Sequence, residues 1–292
     1  MQKSSALNKF NGDWTTYYNY HIVSNKLFSW FASLNFSRNL TTVEGLPEGI
    51  DRLTLAYSRI YDNVNQTVFY QVNEGGRIGD MYGTGYLKNG NGDFIISDDG
   101  LYIPDNSLQK LGNYNPNFML GFSQSFSYKS LNINLVFDWR QGGILISRTL
   151  ALAGVAGQLE ETSDRPEAGI VAQGVINVGT DESPQYEPNS IAVSPEAYYR
   201  NFYDRNHEQN NTYNASYLKL RSFSLGYDVG EKLNWEHSFV VSLIGRNLFA
   251  ISEIPHFDPE QLAVQGQQFV NGVEDMSYAS SRSLGLKVDF KF

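Results

Sequence analysis

The chain has 292 residues, 41% hydrophobic and 14% aromatic, with 22 Lys plus Arg against 31 Asp plus Glu, a formal net charge of −9. That acidic balance argues against nucleic-acid binding, which needs a basic excess or stripe, and the lack of cysteine excludes disulfides, thiolate metal sites and thiol catalysis. The four histidines, His21, His207, His237 and His256, never fall three to five residues apart, and no run of about 18 apolar residues marks a transmembrane helix. The opening Met1-Gln2-Lys3-Ser4-Ser5 has no apolar stretch and does not read as a secretory signal. A composition of 19 Tyr and 26 Gly suits soluble all-β proteins. It equally suits an outer-membrane barrel, whose strands are apolar on one face only.

From the N-terminus onward the main signal is alternation with period two, which in a strand sends two residue sets to opposite faces. Near 14–23, Trp14, Thr16, Tyr18, Tyr20 and Ile22 form the more apolar set. Near 27–39, Phe28, Trp30, Ala32, Leu34 and Phe36 alternate with Ser29, Phe31, Ser33, Asn35 and Ser37. A long connection, 40–116, follows, with local hairpins expected around 67–72 and 93–97. Near 117–128, Phe118, Leu120, Phe122, Phe126 and Tyr128 oppose Met119, Gly121, Ser123, Ser125 and Ser127. Near 131–142, Leu131, Ile133, Leu135, Phe137 and Trp139 oppose Asn132, Asn134, Val136, Asp138 and Arg140. The second long connection, 143–213, begins within an apolar stretch, 142–157, expected to pack inside as a short helix or strand. Near 216–229, Leu218 and Leu220 lie on one parity and Phe223, Leu225, Tyr227 and Val229 on the other; a bulge near Arg221 reconciles them. Near 237–248, Phe239, Val241 and Leu243 oppose Ser238, Ser242 and Arg246. After a third long loop, 249–279, the strand near 281–292 has the cleanest alternation. Leu284, Leu286, Val288, Phe290 and Phe292 oppose Ser283, Gly285, Lys287, Asp289 and Lys291.

Strands of about ten residues match the tilted membrane-crossing strand of a barrel. The Ser, Asn, Asp, Lys and Arg on the second face suit a wet lumen. Trp14, Phe28, Tyr128, Trp139, Tyr227 and Phe292 lie near strand ends, where an interfacial aromatic girdle belongs. Short links at 24–26, 129–130 and about 230–237 alternate with the long ones, as periplasmic turns alternate with external loops. Seven strands would leave two unpaired edges in lipid. The chain is therefore expected to be the C-terminal barrel segment, 1–292, of a larger all-β antiparallel barrel whose earlier strands are absent.

Motifs run along nearly the whole chain. Asn35-Phe36-Ser37-Arg38-Asn39 precedes Leu46-Pro47-Glu48-Gly49-Ile50-Asp51. Gly76-Arg77-Ile78-Gly79 is followed by Met81-Tyr82-Gly83, and Leu111-Gly112-Asn113 by Asn115-Pro116. Phe137-Asp138-Trp139-Arg140-Gln141-Gly142-Gly143 leads to Ser147-Arg148-Thr149. Later come Ala215-Ser216-Tyr217-Leu218-Lys219-Leu220-Arg221, Gly245-Arg246-Asn247-Leu248-Phe249, Phe257-Asp258-Pro259-Glu260 and the terminal Phe292. In this order the chain resembles the C-terminal part of SusC/RagA-type TonB-dependent outer-membrane transporters of Bacteroidetes-like bacteria. Family members usually carry Pro where this chain has Ile78. The resemblance implies a 22-stranded transmembrane barrel in outer-membrane lipid, an N-terminal plug, energisation by the TonB complex and a SusD/RagB-like lipoprotein over the barrel. It implies glycan or peptide substrates. Phe290 and Phe292 on the alternating last strand resemble the insertion signal read by the barrel assembly machinery; an ordinary edge strand ending in an aromatic is the competing reading.

Asp138, Arg140 and Arg148 lie on or beside the inner face, where they would line the solute path or touch the plug. The competing reading is ion pairing across neighbouring strands, worth roughly a few tenths to 1 kcal/mol; Lys219, Arg221 and Arg246 are open to the same pair of readings. Among the loop tyrosines, Tyr198, Tyr199 and Tyr203 with Phe202 make the densest cluster, suited either to stacking on sugar rings or to pinning loops together. Asn89-Gly90-Asn91-Gly92-Asp93 fails the EF-hand pattern, with Phe94 at position 6 and Gly100 at position 12. Gly-x-Gly at 83–85 and 90–92 follows no strand-to-helix transition, so neither is a nucleotide loop. Glu160-Glu161 and Asp181-Glu182 show no catalytic spacing, and no Gly-x-Ser-x-Gly elbow occurs. No catalytic residue, metal or cofactor is expected. The sequence points to a barrel portion of a TonB-dependent importer of oligosaccharides or similar large nutrients. A passive porin-like barrel and a soluble all-β carbohydrate-binding or hydrolase module are the alternatives.

Overall fold

The computed structural model describes residues 9–59, 67–180, 182–232, 238–254, 257–260, 263–265 and 268–291. Seven long strands dominate it: β1 (Trp14–Ser24), β2 (Phe28–Arg38), β3 (Phe118–Tyr128), β4 (Leu131–Gln141), β5 (Tyr217–Asp228), β6 (Ser238–Ser252) and β7 (Ser283–Lys291). Each pairs antiparallel with the next, in chain order, forming one meander. Among the described residues β1 and β7 have a partner on one side only, so the sheet does not close. β6 runs four residues beyond the expected 248, with Asn247 at φ 50. At Arg221 the ladder slips: pairing with β6 passes from Leu220 to Ser222, and on β4 Val136 faces Ser222 while Phe137 faces Leu220. This is the bulge that the parity switch required.

Three tight links join these strands at one end. In the first, the Asn25 carboxamide accepts from the Leu27 and Phe28 N–H groups, both at 2.9 Å. The second is Lys129-Ser130, with Lys129 at φ 52. The third opens with a single helical turn, Val229–Lys232. All three long connections leave the opposite end.

The two faces of the sheet differ as alternation demands. On one face, rings meet across strands: Phe122 stacks on Phe137 at 4.7 Å, Trp30 on Phe126 at 5.5 Å, and Phe36 lies 5.7 Å from Phe118. Gln124 shares this parity, and its oxygen accepts from Trp30 Nε1 at 2.8 Å. On the other face Ser125 donates to Asn134 (2.7 Å), which donates to Ser224 (3.1 Å), a polar ladder over three strands. The apolar face is bare. Leu284, Leu286 and Val288 are 70%, 77% and 59% exposed, and Trp14, Tyr18 and Tyr20 are equally open. Among the described residues, the buried apolar ones that belong to the seven strands are only Tyr217 and Leu220.

The buried core lies instead in the long connections, which fold together as a lobe over one end of the wall. The first carries a four-stranded sheet, Arg52–Arg59, Thr67–Asn73, Asp80–Tyr86 and Pro104–Asn113. Around 93–97 the strand is only Ile95–Ile96, which pairs in parallel with Val175–Asn177. The apolar stretch 142–157 becomes both expected elements: strand Ile144–Ser147, then helix α1 (Arg148–Val155), capped by Ser147 Oγ accepting from Leu150 N at 3.1 Å. Helix α2 (Pro195–Phe202) starts at the Ser194 cap with proline in its first turn. One core cluster, Val68, Met81, Ile146 and Val273, draws on all three connections. Ile146–Ser147 also pairs in parallel with Val273–Glu274.

Candidate functional site

Where the wall meets the lobe, β4 and β5 bring charged residues together. Asp138 of β4 lies opposite Lys219 of β5, and the bulge turns Arg221 toward the same group. The Arg221 guanidinium holds Asp138 Oδ2 through Nη2 at 2.6 Å and through Nε at 3.2 Å. Its Nη1 donates to Glu260 Oε2 at 2.6 Å. Lys219, 3% exposed, donates to both Asp258 and Glu260 and sits 4.6 Å from the Tyr217 ring centre. The Tyr217 hydroxyl donates to Glu260 Oε1 at 2.9 Å. Burial alone would raise the Glu260 carboxyl, but hydrogen bonds and charge from Arg221 and Lys219 outweigh it and hold the group down at about 2. Two cations thus face three carboxylates. A buried lysine is tolerable only with such partners.

Three motifs that lie far apart in sequence meet here: Phe137–Gly143, Ala215–Arg221 and Phe257–Glu260. Asp258 and Glu260 were not singled out as ion-pair partners by the sequence reading. The signal was present in Lys219 and Arg221, two cations without acidic neighbours on their own strand. Phe257, next to Asp258, packs against the cores that contain Leu145, Ala215 and Ile254 and Leu150, Leu159 and Tyr203. The segment 257–260 therefore straps the lobe to the wall.

The other singled-out residues take different places. Arg140 turns toward the loops, donating from Nη2 to the Tyr114 carbonyl at 2.6 Å and from Nε to that of Gly142 at 3.4 Å. Gly142 and Gly143, at φ 78 and 87, supply the left-handed turn that this clamp closes. Arg148 is buried in the lobe at the start of α1, away from the strands. Tyr198 is half-buried, stacked on Phe202 at 5.7 Å and 6.4 Å from Tyr102. The Tyr199 hydroxyl donates to the carbonyls of Glu161 (2.7 Å) and Asp164 (2.9 Å). Tyr203 is buried, and a Cβ at Gly154 would lie 2.2 Å from its Cγ. These tyrosines pin loop segments together. Phe290 is exposed on the apolar face of β7, 5.8 Å from Phe239; Phe292 lies outside the described residues. The Asn89 side chain accepts from Asn91 N and Asp93 N, forming a polar turn.

The lobe also holds a group that the sequence did not announce. Glu208 is buried, and its Oε2 accepts from Thr84 N at 3.1 Å. Burial, only partly offset by that bond, pushes its carboxyl up to about 7. The neighbouring His207, 3.2 Å from the Thr84 hydroxyl through Nδ1, is lowered by burial. Among the described residues no group of three or more His, Asp or Glu is placed to hold a metal ion.

No family model matches the chain. It is 26% identical over 296 residues to TonB-dependent receptor P3 of Formosa agariphila, covering 92% of this chain and 27% of that receptor. It is 25% identical over 217 residues to TonB-dependent receptor P26 of the same bacterium, covering 68% and 19%. The chain thus spans less than a third of the length of these relatives. In fold it is similar to the RagAB peptide transporter, with TM-score 0.56 and 17% identity over 94% of this chain and 28% of that one. The RagAB peptide importer in its "closed-closed" state gives TM-score 0.57 and 16% identity over 95% and 29%. The chain is thus similar in sequence to a portion of TonB-dependent receptors and in fold to a portion of the RagAB transporter.

Proposed function

We propose that the chain is the C-terminal barrel segment of an importer that carries oligosaccharides or similar large nutrients across the outer membrane of a Bacteroidetes-like bacterium. The observation that carries this reading is the division of the wall into a bare apolar face and a hydrogen-bonded polar face, with the buried core displaced into the loops. A soluble sandwich would bury the apolar face of its strands; a barrel turns it to lipid. In this account the polar face lines the solute path. The lobe forms the outer vestibule and meets a SusD/RagB-like lipoprotein. A plug from the rest of the protein supplies gating through the TonB complex. Phe290 belongs to β7, the strand that directs insertion in this account. Asp138 holds the wall end of the strap, Arg140 and Arg148 stiffen the vestibule, and Tyr198, Tyr199 and Tyr203 shape its surface.

The test is uptake of labelled oligosaccharides by cells with and without the full-length receptor, in the presence and absence of a protonophore. The import reading expects uptake that needs the receptor and stops when the proton-motive force collapses. Uptake indifferent to the protonophore would support the passive barrel. A peptide, the cargo named for RagAB, serves as the second labelled substrate.

A further inference from the structure

Where the first and second long connections meet, a cleft of about 530 Å³ opens, within the size range of small-ligand sites. Leu111 and Ile144 supply its apolar lining, Gly142 and Gly143 add bare backbone, and no Asp or Glu lines it. Its polar groups have unequal work left to do. The Asn214 oxygen accepts from Ser216 N and Oγ, leaving its NH2 group unused. The Gln209 oxygen accepts from Tyr86 N, again leaving the NH2 group. Lys110 gives one proton to Asp80 at 2.6 Å and keeps a half-exposed ammonium. Lys88 is exposed, 4.7 Å from the Phe94 ring centre, and makes no ion pair among the described residues. Against these four donor groups stand two side-chain acceptors, beside the Tyr213 hydroxyl, which can both donate and accept. The two acceptors are the Gln109 oxygen, whose amide nitrogen donates to Asp105 at 2.8 Å, and the Thr212 hydroxyl, which donates to the Glu208 carbonyl at 2.7 Å. The nearby acids are engaged: Asp80 by Lys110, Asn113 and the Arg77 N–H, Asp105 by Gln109 and the Ser107 N–H.

A lining rich in spare donors fits a ligand rich in acceptors. A peptide backbone presents donors and acceptors in equal number and would leave lining donors unmatched. A carboxylated sugar offers ring, hydroxyl and carboxylate oxygens and an apolar ring face. We propose that this cleft binds an acidic sugar unit of the cargo, with the carboxylate at Lys88 and Lys110, sugar oxygens at the Gln209 and Asn214 amides, and the ring face on Leu111 and Ile144. The assignment rests on the import reading and narrows its cargo.

The experiment is calorimetric titration of the purified full-length receptor with trigalacturonate, cellotriose and trialanine at low salt. Trigalacturonate is expected to bind about tenfold more tightly than cellotriose, the K88M variant to lose about that factor for trigalacturonate alone, and K88R to restore it. Lys88 is exposed, so neither substitution disturbs the core. Equal binding of the two sugars, tighter binding of trialanine, or an unchanged K88M affinity would overturn the assignment. Protonophore-sensitive uptake of a neutral oligosaccharide alongside any of those results would leave the import reading standing and remove only the acidic-sugar site.

Discussion

Glu208 lies against the strand Asp80–Tyr86 because Gly83 leaves room for it: a Cβ there would come within 2.7 Å of Glu208 Oε2. Gly85 makes the same room for Gln209. The Gly-Thr-Gly run, which in sequence only ruled out a phosphate loop, is thus a packing surface. With the Glu208 carboxyl raised to about 7, its neutral form favours the fold, an effect complete below the ordinary carboxyl value and lost as pH rises through about 7. The thermal midpoint of the full-length receptor should therefore fall as pH rises from about 5 to about 7 and level off above that, and E208Q should flatten that slope, gaining on the order of 3 kcal/mol above pH 7. A midpoint equally pH-dependent in E208Q would contradict this. Gly154 is similarly constrained by Tyr203, and G154A should cost roughly 1–3 kcal/mol, with faster hydrogen exchange in α1. Unchanged exchange would show that the two helices part without penalty.

Among the elements, the strands were the most legible. An apolar face and a polar face place opposite demands on successive residues, so alternation survives along β7 without interruption and along β4 with Val136 as the one apolar residue on the polar parity. The bulge was readable for the same reason, since Phe223 reverses the parity set by Leu218 and Leu220. The lobe was far less readable. Val68, Met81, Ile146 and Val273 come from separate connections, and no period in the sequence links them. The strap 257–260 escaped for that reason too, although both halves of its ion-pair cluster stood in the motifs. With Glu260 held at about 2, its contribution is present above the ordinary carboxyl range and fades only as pH falls toward that value. E260A should accordingly raise protease cleavage of the third loop roughly tenfold at neutral pH, since cleavage follows the population of the open form. The paired exchange K219E with E260K should recover part of that protection. Equal cleavage of wild type and E260A would show that Phe257 alone holds the strap.

For the whole molecule, wall and lobe answer different solvents. The lobe folds as a soluble domain does, with its apolar residues inside; the wall is the reverse, and its two open edges and bare face demand surroundings that this chain does not itself supply. These 292 residues hold no cysteine, so labels placed among them meet no native thiol of this segment, and cysteines elsewhere in the receptor are first replaced by serine. Single cysteines placed at each position from 284 to 289 of the full-length receptor, spin-labelled in native outer membranes, report collision with oxygen in lipid or with a water-soluble nickel chelate. Lipid contact at 284, 286 and 288 with water contact at 285, 287 and 289 is the result the account predicts. Uniform access to the aqueous chelate, or protection of 284, 286 and 288 from both reagents, would contradict it.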